Sequence, residues 1–320
     1  MRENRYAVVD IGSNTMKMNI YDVDEVDSET TLSFIMTESS TLGLINYNSR
    51  KMMSEAGIGH LVETLEKYKR LAENVGVAEE RIFCLATASL RNIINSAEVI
   101  AAVKARTGLD TSLISGENEA LLGFDGLRYA LGESVRSGVM CDIGGGSTEL
   151  LGFIDCLAVR AHSDKFGCLS LYRKFVEEIF PSKKEAKQIA AYVAERVGKI
   201  DWLSGYGDTL YLVGGTARSV AKLRDEMTAS DGTQSGSKMT SDQLLDTIDY
   251  FTHLNKDKIE ILIKVIPDRL HTIVTGMIAL EQIVKRVQAK NIVISSGGLR
   301  EGYLLGRIRE MKASQGEENG

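Results

Sequence analysis

The tripeptide Asp-Ile-Gly occurs twice, each time where an apolar run ends, at 10–12 in RYAVVDIGSNT and at 142–144 in GVMCDIGGGST. A second apolar run follows each copy, MKMNIY after the first and ELLGFI after the second. Each segment reads as strand, tight glycine-bearing turn and strand. The aspartates are 132 residues apart, far beyond the roughly 20–50-residue periods of solenoid repeats. That spacing predicts a duplicated domain, with two similar folds facing each other across a cleft.

Length agrees with this division, because 320 residues suit two domains of about 150 residues each. The rest of the chain alternates helix and strand as α/β folds do. Apolar residues recur at three- and four-residue steps over 54–75, predicting an amphipathic helix. Strands are expected at 81–87, 111–115, 209–215 and 291–298, and helices near 96–106, 185–203 and 241–254. The segments SDGTQSGSK (230–238) and SQGEENG (314–320) are expected to be a mobile loop and a frayed tail.

Composition narrows the function classes. Hydrophobic content of 43%, charge of 26% and two prolines belong to a globular protein. The opening MRENRYAVVD has no signal-like apolar region, and no apolar run nears the 18 or so residues of a membrane span. A cytoplasmic protein without membrane contact is expected. A net charge of −6 speaks against binding a nucleic-acid duplex, so any anion site must be local. Cys84, Cys141, Cys156 and Cys168 lack CxxC spacing and read as packed thiols. The four histidines show no zinc-ligand spacing.

Chemistry concentrates in four loops where glycine follows a strand: Gly12-Ser13-Asn14, Gly144-Gly145-Gly146-Ser147, Gly214-Gly215-Thr216 and Ser295-Ser296-Gly297-Gly298. Glycine lets the backbone turn sharply and bring successive N–H groups against an anion. Any one such loop is an ordinary turn, but four of them, two sharing Asp-Ile-Gly, point to phosphate. Asp10 and Asp142 either brace their own loops or face a cation. A phosphate site with Mg²⁺ needs only one or two carboxylates beside water and phosphate oxygens, and Asp142, Glu149 and Asp10 could supply them.

The segments DIGSNT, ATASLR, ISGENEA, DIGGGSTEL, LVGGTARSV and SSGGLREG, in this order, resemble the exopolyphosphatase / guanosine pentaphosphate phosphohydrolase (Ppx/GppA) family over residues 6 to about 305. The resemblance implies two ribonuclease-H-like domains of the actin-like ATPase superfamily, expected at 1–133 and 134–303, with a final helix at 304–320 packing back on the first. It implies Mg²⁺-dependent release of terminal phosphate from polyphosphate or a phosphorylated guanosine nucleotide, and leaves room for a homodimer. It places the catalytic glutamate at Glu119, with a matching arginine at Arg91. Read without the family, Glu117 and Glu119 are acids of a helix's first turn, and Arg91 is a surface arginine.

The phosphate-binding set implied is Gly12, Ser13, Asn14, Lys17, Gly144, Gly145, Gly146, Ser147, Gly214, Gly215 and Thr216. Arg218 either meets the ligand or caps its helix. Lys17 stands where the family has arginine, and Thr41, Ser170 and His271 depart from its Arg-Leu-Gly, Leu-Gly-Ala-Val-Arg and Arg-Ala-Asp patterns. The two missing arginines argue for short polyphosphate chains. Other classes that fit the same loops are an actin-like ATP-binding protein or kinase, and a catalytically weak sensor of alarmone or polyphosphate.

Overall fold

The computed structural model describes residues 4–26, 29–228 and 238–318. The chain divides into two units, Met1–Leu122 with Arg300–Gly320, and Gly123–Leu299.

The first unit is built on strands β1 (Arg5–Ile11), β2 (Thr15–Val26) and β3 (Glu29–Thr41), a short hairpin β4 (Asn48–Ser49) and β5 (Met52–Met53), helix α1 (Glu55–Asn74), β6 (Ile82–Ala86), α2 (Ala88–Arg91), α3 (Ser96–Thr107), β7 (Thr111–Leu113) and the start of α4 (Gly116–Leu131). Its five-stranded sheet has the order β3-β2-β1-β6-β7. The first three strands are antiparallel, and β6 and β7 continue parallel to β1. Alternation along β2 buries Met16, Met18 and Ile20 on one face. The stripe Ile58, Leu61, Leu65, Tyr68 and Ala72 of α1 packs in the same core, and the Tyr68 hydroxyl donates to the Met16 carbonyl at 3.0 Å. Ser54 caps α1 by accepting from Gly57 N–H.

The second unit holds β8 (Gly138–Ile143), β9 (Thr148–Ile154), β10 (Leu157–Asp164), α5 (Cys168–Phe175), α6 (Lys183–Gly198), β11 (Thr209–Val213), α7 (Gly214–Thr228), β12 (Lys238–Thr240), α8 (Ser241–Thr252), α9 (Lys256–Val265), α10 (Leu270–Val287) and β13 (Asn291–Ile294). Its sheet order is β10-β9-β8-β11-β13-β12. Three antiparallel strands are again followed by two parallel ones, and β12 adds an antiparallel edge. The same strand plan in both units is the duplication expected from the paired Asp-Ile-Gly segments. Each unit is an α/β fold, a mixed sheet with helices packed on it.

Helix α11 (Leu299–Glu318) belongs to the first unit from Arg300 onward. Its Tyr303, Leu304 and Ile308 are buried, the Tyr303 hydroxyl donates to Ser112 Oγ at 2.7 Å, and the Arg307 guanidinium lies 5.2 Å from the Phe83 ring centre. The frayed tail expected at 314–320 is corrected here: the helix runs on through Glu318. One turn earlier Lys312 pairs with Glu25, and residues 319–320 lie outside the described part. Of the loop expected at 230–238, residues 230–237 also lie outside it, and Lys238 opens β12. No helix among the described residues is long and apolar enough to cross a membrane.

Candidate functional site

In the first unit, Asp10 is next to last in β1, with Lys17 of β2 directly across from it. The Arg300 guanidinium, from the start of α11, donates to Asp10 Oδ2 at 3.3 Å. Burial raises the Asp10 pKa above the ordinary carboxylate range, and Arg300 and Lys17 oppose that rise. The loop that follows is held by its carbonyls: Leu42 and Gly43 N–H donate to Asn14 O at 2.9 and 2.8 Å, and Ile45 N–H donates to Ser13 O at 3.1 Å. The N–H groups of Gly12, Ser13 and Asn14 have no backbone partner among the described residues. Such a run of N–H groups is what an anion-binding turn presents.

Arg91 and Glu119 are brought together beside this loop. The Ser89 hydroxyl donates to Ile11 O at 2.5 Å, joining α2 to the end of β1. Arg91, last in α2, donates through Nη1 to Glu119 Oε2 at 2.7 Å and to Ile114 O at 3.0 Å. Ser115 begins α4, accepting from Asn118 N–H on its Oγ and from Glu119 N–H on its carbonyl. That capped turn separates the two acids: Glu119 is 13% exposed and faces Arg91, whereas Glu117 is exposed.

In the second unit, Asp142 is next to last in β8, directly across from Glu149 of β9. Glu149 is only 2% exposed and accepts from Ser163 Oγ at 2.7 Å. Both carboxylates add to burial in pushing the Cys141 thiol well above its ordinary pKa. The loop 144–147 closes through Gly144 N–H to Ser147 O at 3.0 Å. Its Gly144 and Gly145 carbonyls accept the N–H groups of Cys168, Leu169 and Ser170 at the start of α5. The N–H groups of Gly145, Gly146 and Ser147 have no backbone partner among the described residues, so this loop also turns carbonyls toward protein and N–H groups elsewhere.

The next glycines serve close packing. Gly214 has φ +81°, and a Cβ there would lie 2.0 Å from Asp142 Oδ1. A Cβ on Gly215 would lie 2.0 Å from Arg269 Nη2, so that guanidinium rests on the loop backbone. Thr216 is 2% exposed, and its hydroxyl donates to Ile143 O at 2.8 Å, fastening α7 to β8. Arg218 is half-buried on α7. In the fourth loop, a Cβ on Gly126 would meet Gly298 O at 1.9 Å, so this glycine pair admits the backbone of α4. At the departing position Ser170, the hydroxyl accepts from Gly167 N–H at 2.8 Å and closes the first turn of α5. Thr41 is exposed at the end of β3.

The donor chemistry fits a hydrated Mg²⁺ at Asp142 and Glu149, two neighbouring carboxylates at the mouth of an N–H-rich loop. Among the described residues no group of three or more His, Cys, Asp or Glu forms a metal cage. Asp10 has Arg300 against its carboxylate. Two arginines were not singled out for the site by sequence reasoning. Arg269 could have been found in the Arg269-Leu270-His271 segment, whereas Arg300, in SSGGLREG, is 290 residues from Asp10 and carries no local signal.

Two α/β units thus share one strand plan, and each has an aspartate next to last in its first strand, ahead of a glycine-bearing turn. The sequence matches the model of the Ppx/GppA phosphatase family over residues 20–311, and the chain belongs to that family. It is similar to exopolyphosphatase 1 of Mycobacterium tuberculosis, 25% identical over 311 residues, covering 95% of this chain and 88% of that protein. Among solved structures it resembles the Ppx/GppA family member of Aquifex aeolicus (23% identity, TM-score 0.77, 96% of this chain and 98% of that one). It also resembles an exopolyphosphatase from Cytophaga hutchinsonii (20% identity, TM-score 0.81, again 96% and 98%).

Proposed function

We propose that the protein is a phosphohydrolase that releases terminal phosphate from inorganic polyphosphate. The observation that carries this reading is the 2.7 Å pair between Arg91 and Glu119, tied through Ser89 to the end of the β1 loop. A loop of free N–H groups holds phosphate oxygens without supplying chemistry. A carboxylate beside it supplies a base. Glu119 accepts a proton from water as the water oxygen bonds to the terminal phosphorus, and the bridging P–O bond breaks toward the shortened chain. Arg91 orients Glu119 through their pair and brings positive charge to the phosphoryl oxygens. In the second unit, Asp142 and Glu149 would hold Mg²⁺, which would supply positive charge for phosphate oxygens bound at that unit's own loop. The name of the mycobacterial relative, an exopolyphosphatase, supports polyphosphate as the substrate.

The test is orthophosphate release from tripolyphosphate, long-chain polyphosphate and guanosine pentaphosphate, across a Mg²⁺ series, by the wild type and by Glu119→Gln. Release from polyphosphate that falls by about 10²–10⁴ in Glu119→Gln, with the melting curve preserved, is the expected result. Release from guanosine pentaphosphate alone would replace the substrate but keep the mechanism. No release from any of the three would refute the enzyme reading.

A further inference from the structure

The β4–β5 hairpin turns through Arg50 and Lys51, which adopt φ +50° and +62°. A two-residue turn with both residues at positive φ is the kind that Asn-Gly or Gly-Gly normally fill, because a side chain there is strained. Two long cations in that place are an expensive choice for a connector. Residues held at such φ values cluster at binding and switch sites, although the Asp155-Cys156 turn between β9 and β10 shares the geometry. Both residues are exposed, and neither has a carboxylate partner among the described residues.

The hairpin is fixed between the two arms of the first unit's site. On its N-terminal side, the short turn Leu44–Tyr47 follows the residues whose N–H groups hold the 12–14 loop. Ser54 N–H then donates to Tyr47 O at 3.0 Å, closing the hairpin's base. On its other side, Ile94 N–H donates to Lys51 O at 2.8 Å, and the Asn95 side chain accepts from Met53 N–H and donates to Met53 O, both at 3.0 Å. Ile94 is three residues past Arg91, so their Cα atoms are at most about 11 Å apart.

We propose that Arg50 and Lys51 form a second polyanion subsite that holds a phosphate chain beyond the phosphoryl group undergoing hydrolysis, selecting polymer over the short chains that the departures at Thr41 and Ser170 suggest from sequence. This rests on the polyphosphate reading of the Arg91–Glu119 site. The pair acts on the chain as two point charges, each displacing counterions, and leaves the transferred phosphoryl to the loops.

The test is Arg50→Asn/Lys51→Gly, which removes both charges yet gives the turn its favoured residues, with Arg50→Lys/Lys51→Arg as the charge-preserving control. KM for long-chain polyphosphate is compared with KM for tripolyphosphate, against salt. For a single-stranded polyanion each contact contributes about 0.7 to the slope of log affinity on log salt, so losing two flattens it by about 1.4. The wild-type advantage on long chains should then shrink about sevenfold between about 50 and 200 mM salt, and the control should restore it. Identical KM ratios and slopes in wild type and Asn-Gly variant would overturn the subsite and leave the hydrolysis reading intact. If the wild type releases no phosphate from polyphosphate, that reading fails separately, and equilibrium binding of long-chain polyphosphate decides for the tip: equal affinity refutes it, weaker binding by the variant upholds it.

Discussion

Asp142 faces Glu149 across β8 and β9, at the position where the first unit sets Asp10 against Lys17. Duplication kept the aspartate and its strand, and the neighbour changed sign. One copy thereby carries a neutralised carboxylate beside its anion loop. The other carries two adjoining carboxylates, whose mutual repulsion a bound cation would relieve.

Replacing Glu149 by Gln should therefore raise stability without metal by on the order of 1 kcal/mol and abolish the response to Mg²⁺. Thermal melts of both proteins across a Mg²⁺ titration check this. A variant that still gains stability from Mg²⁺ as the wild type does would remove Glu149 from the cation site.

The Asp10 carboxyl has its pKa raised in the folded protein. Its favourable contribution is complete below the unfolded value and is lost as pH rises through the native one. Wild-type stability should thus decline from about pH 4 upward relative to Asp10→Asn, until the raised native pKa is passed. Urea midpoints of the two proteins measured against pH report the difference curve, and a curve rising with pH would contradict the assignment.

Two glycine-to-alanine changes should differ in sign. At Gly126 the new Cβ would meet the Gly298 carbonyl oxygen at 1.9 Å, backbone that cannot yield cheaply, and a loss of about 3 kcal/mol is expected. At Gly198, the last residue of α6, nothing lies within 4 Å of the added atom, and a gain of roughly 0.5 kcal/mol follows from helix propensity. Denaturant titrations of both variants give these values directly.

The thiols should react in two classes. Cys84, Cys141 and Cys168 are buried, and burial pushes the Cys84 pKa up to about 12 and raises those of Cys141 and Cys168. Cys156 is partly exposed. One equivalent should label quickly near neutral pH and three only after denaturation, as counted by mass spectrometry.

Much of this architecture is legible in the chain. Apolar runs cut short by glycine mark β1, β8 and β11, and repetition of Asp-Ile-Gly marks the duplicated strand plan. Helix α10 escaped the sequence reading although its buried Ile273, Met277, Leu280, Val284 and Val287 recur at helical spacing. The choice between Glu117 and Glu119 could be made from the residues only through resemblance, since both occupy one helical turn. It became physical once Arg91 lay against one of them. At 214 and 297–298 close backbone approach asks for glycine just as anion binding does, so the residue type alone does not separate the two roles.

Helix α11 also has a consequence for synthesis. The first unit cannot cover the Phe83 side of its sheet until residues near Arg307, translated after the whole second unit, arrive. The unit encoded between them has all its strands by Ile294. The nascent chain should consequently finish its middle before its beginning, with the early half waiting, one face uncovered, for the final helix to close it.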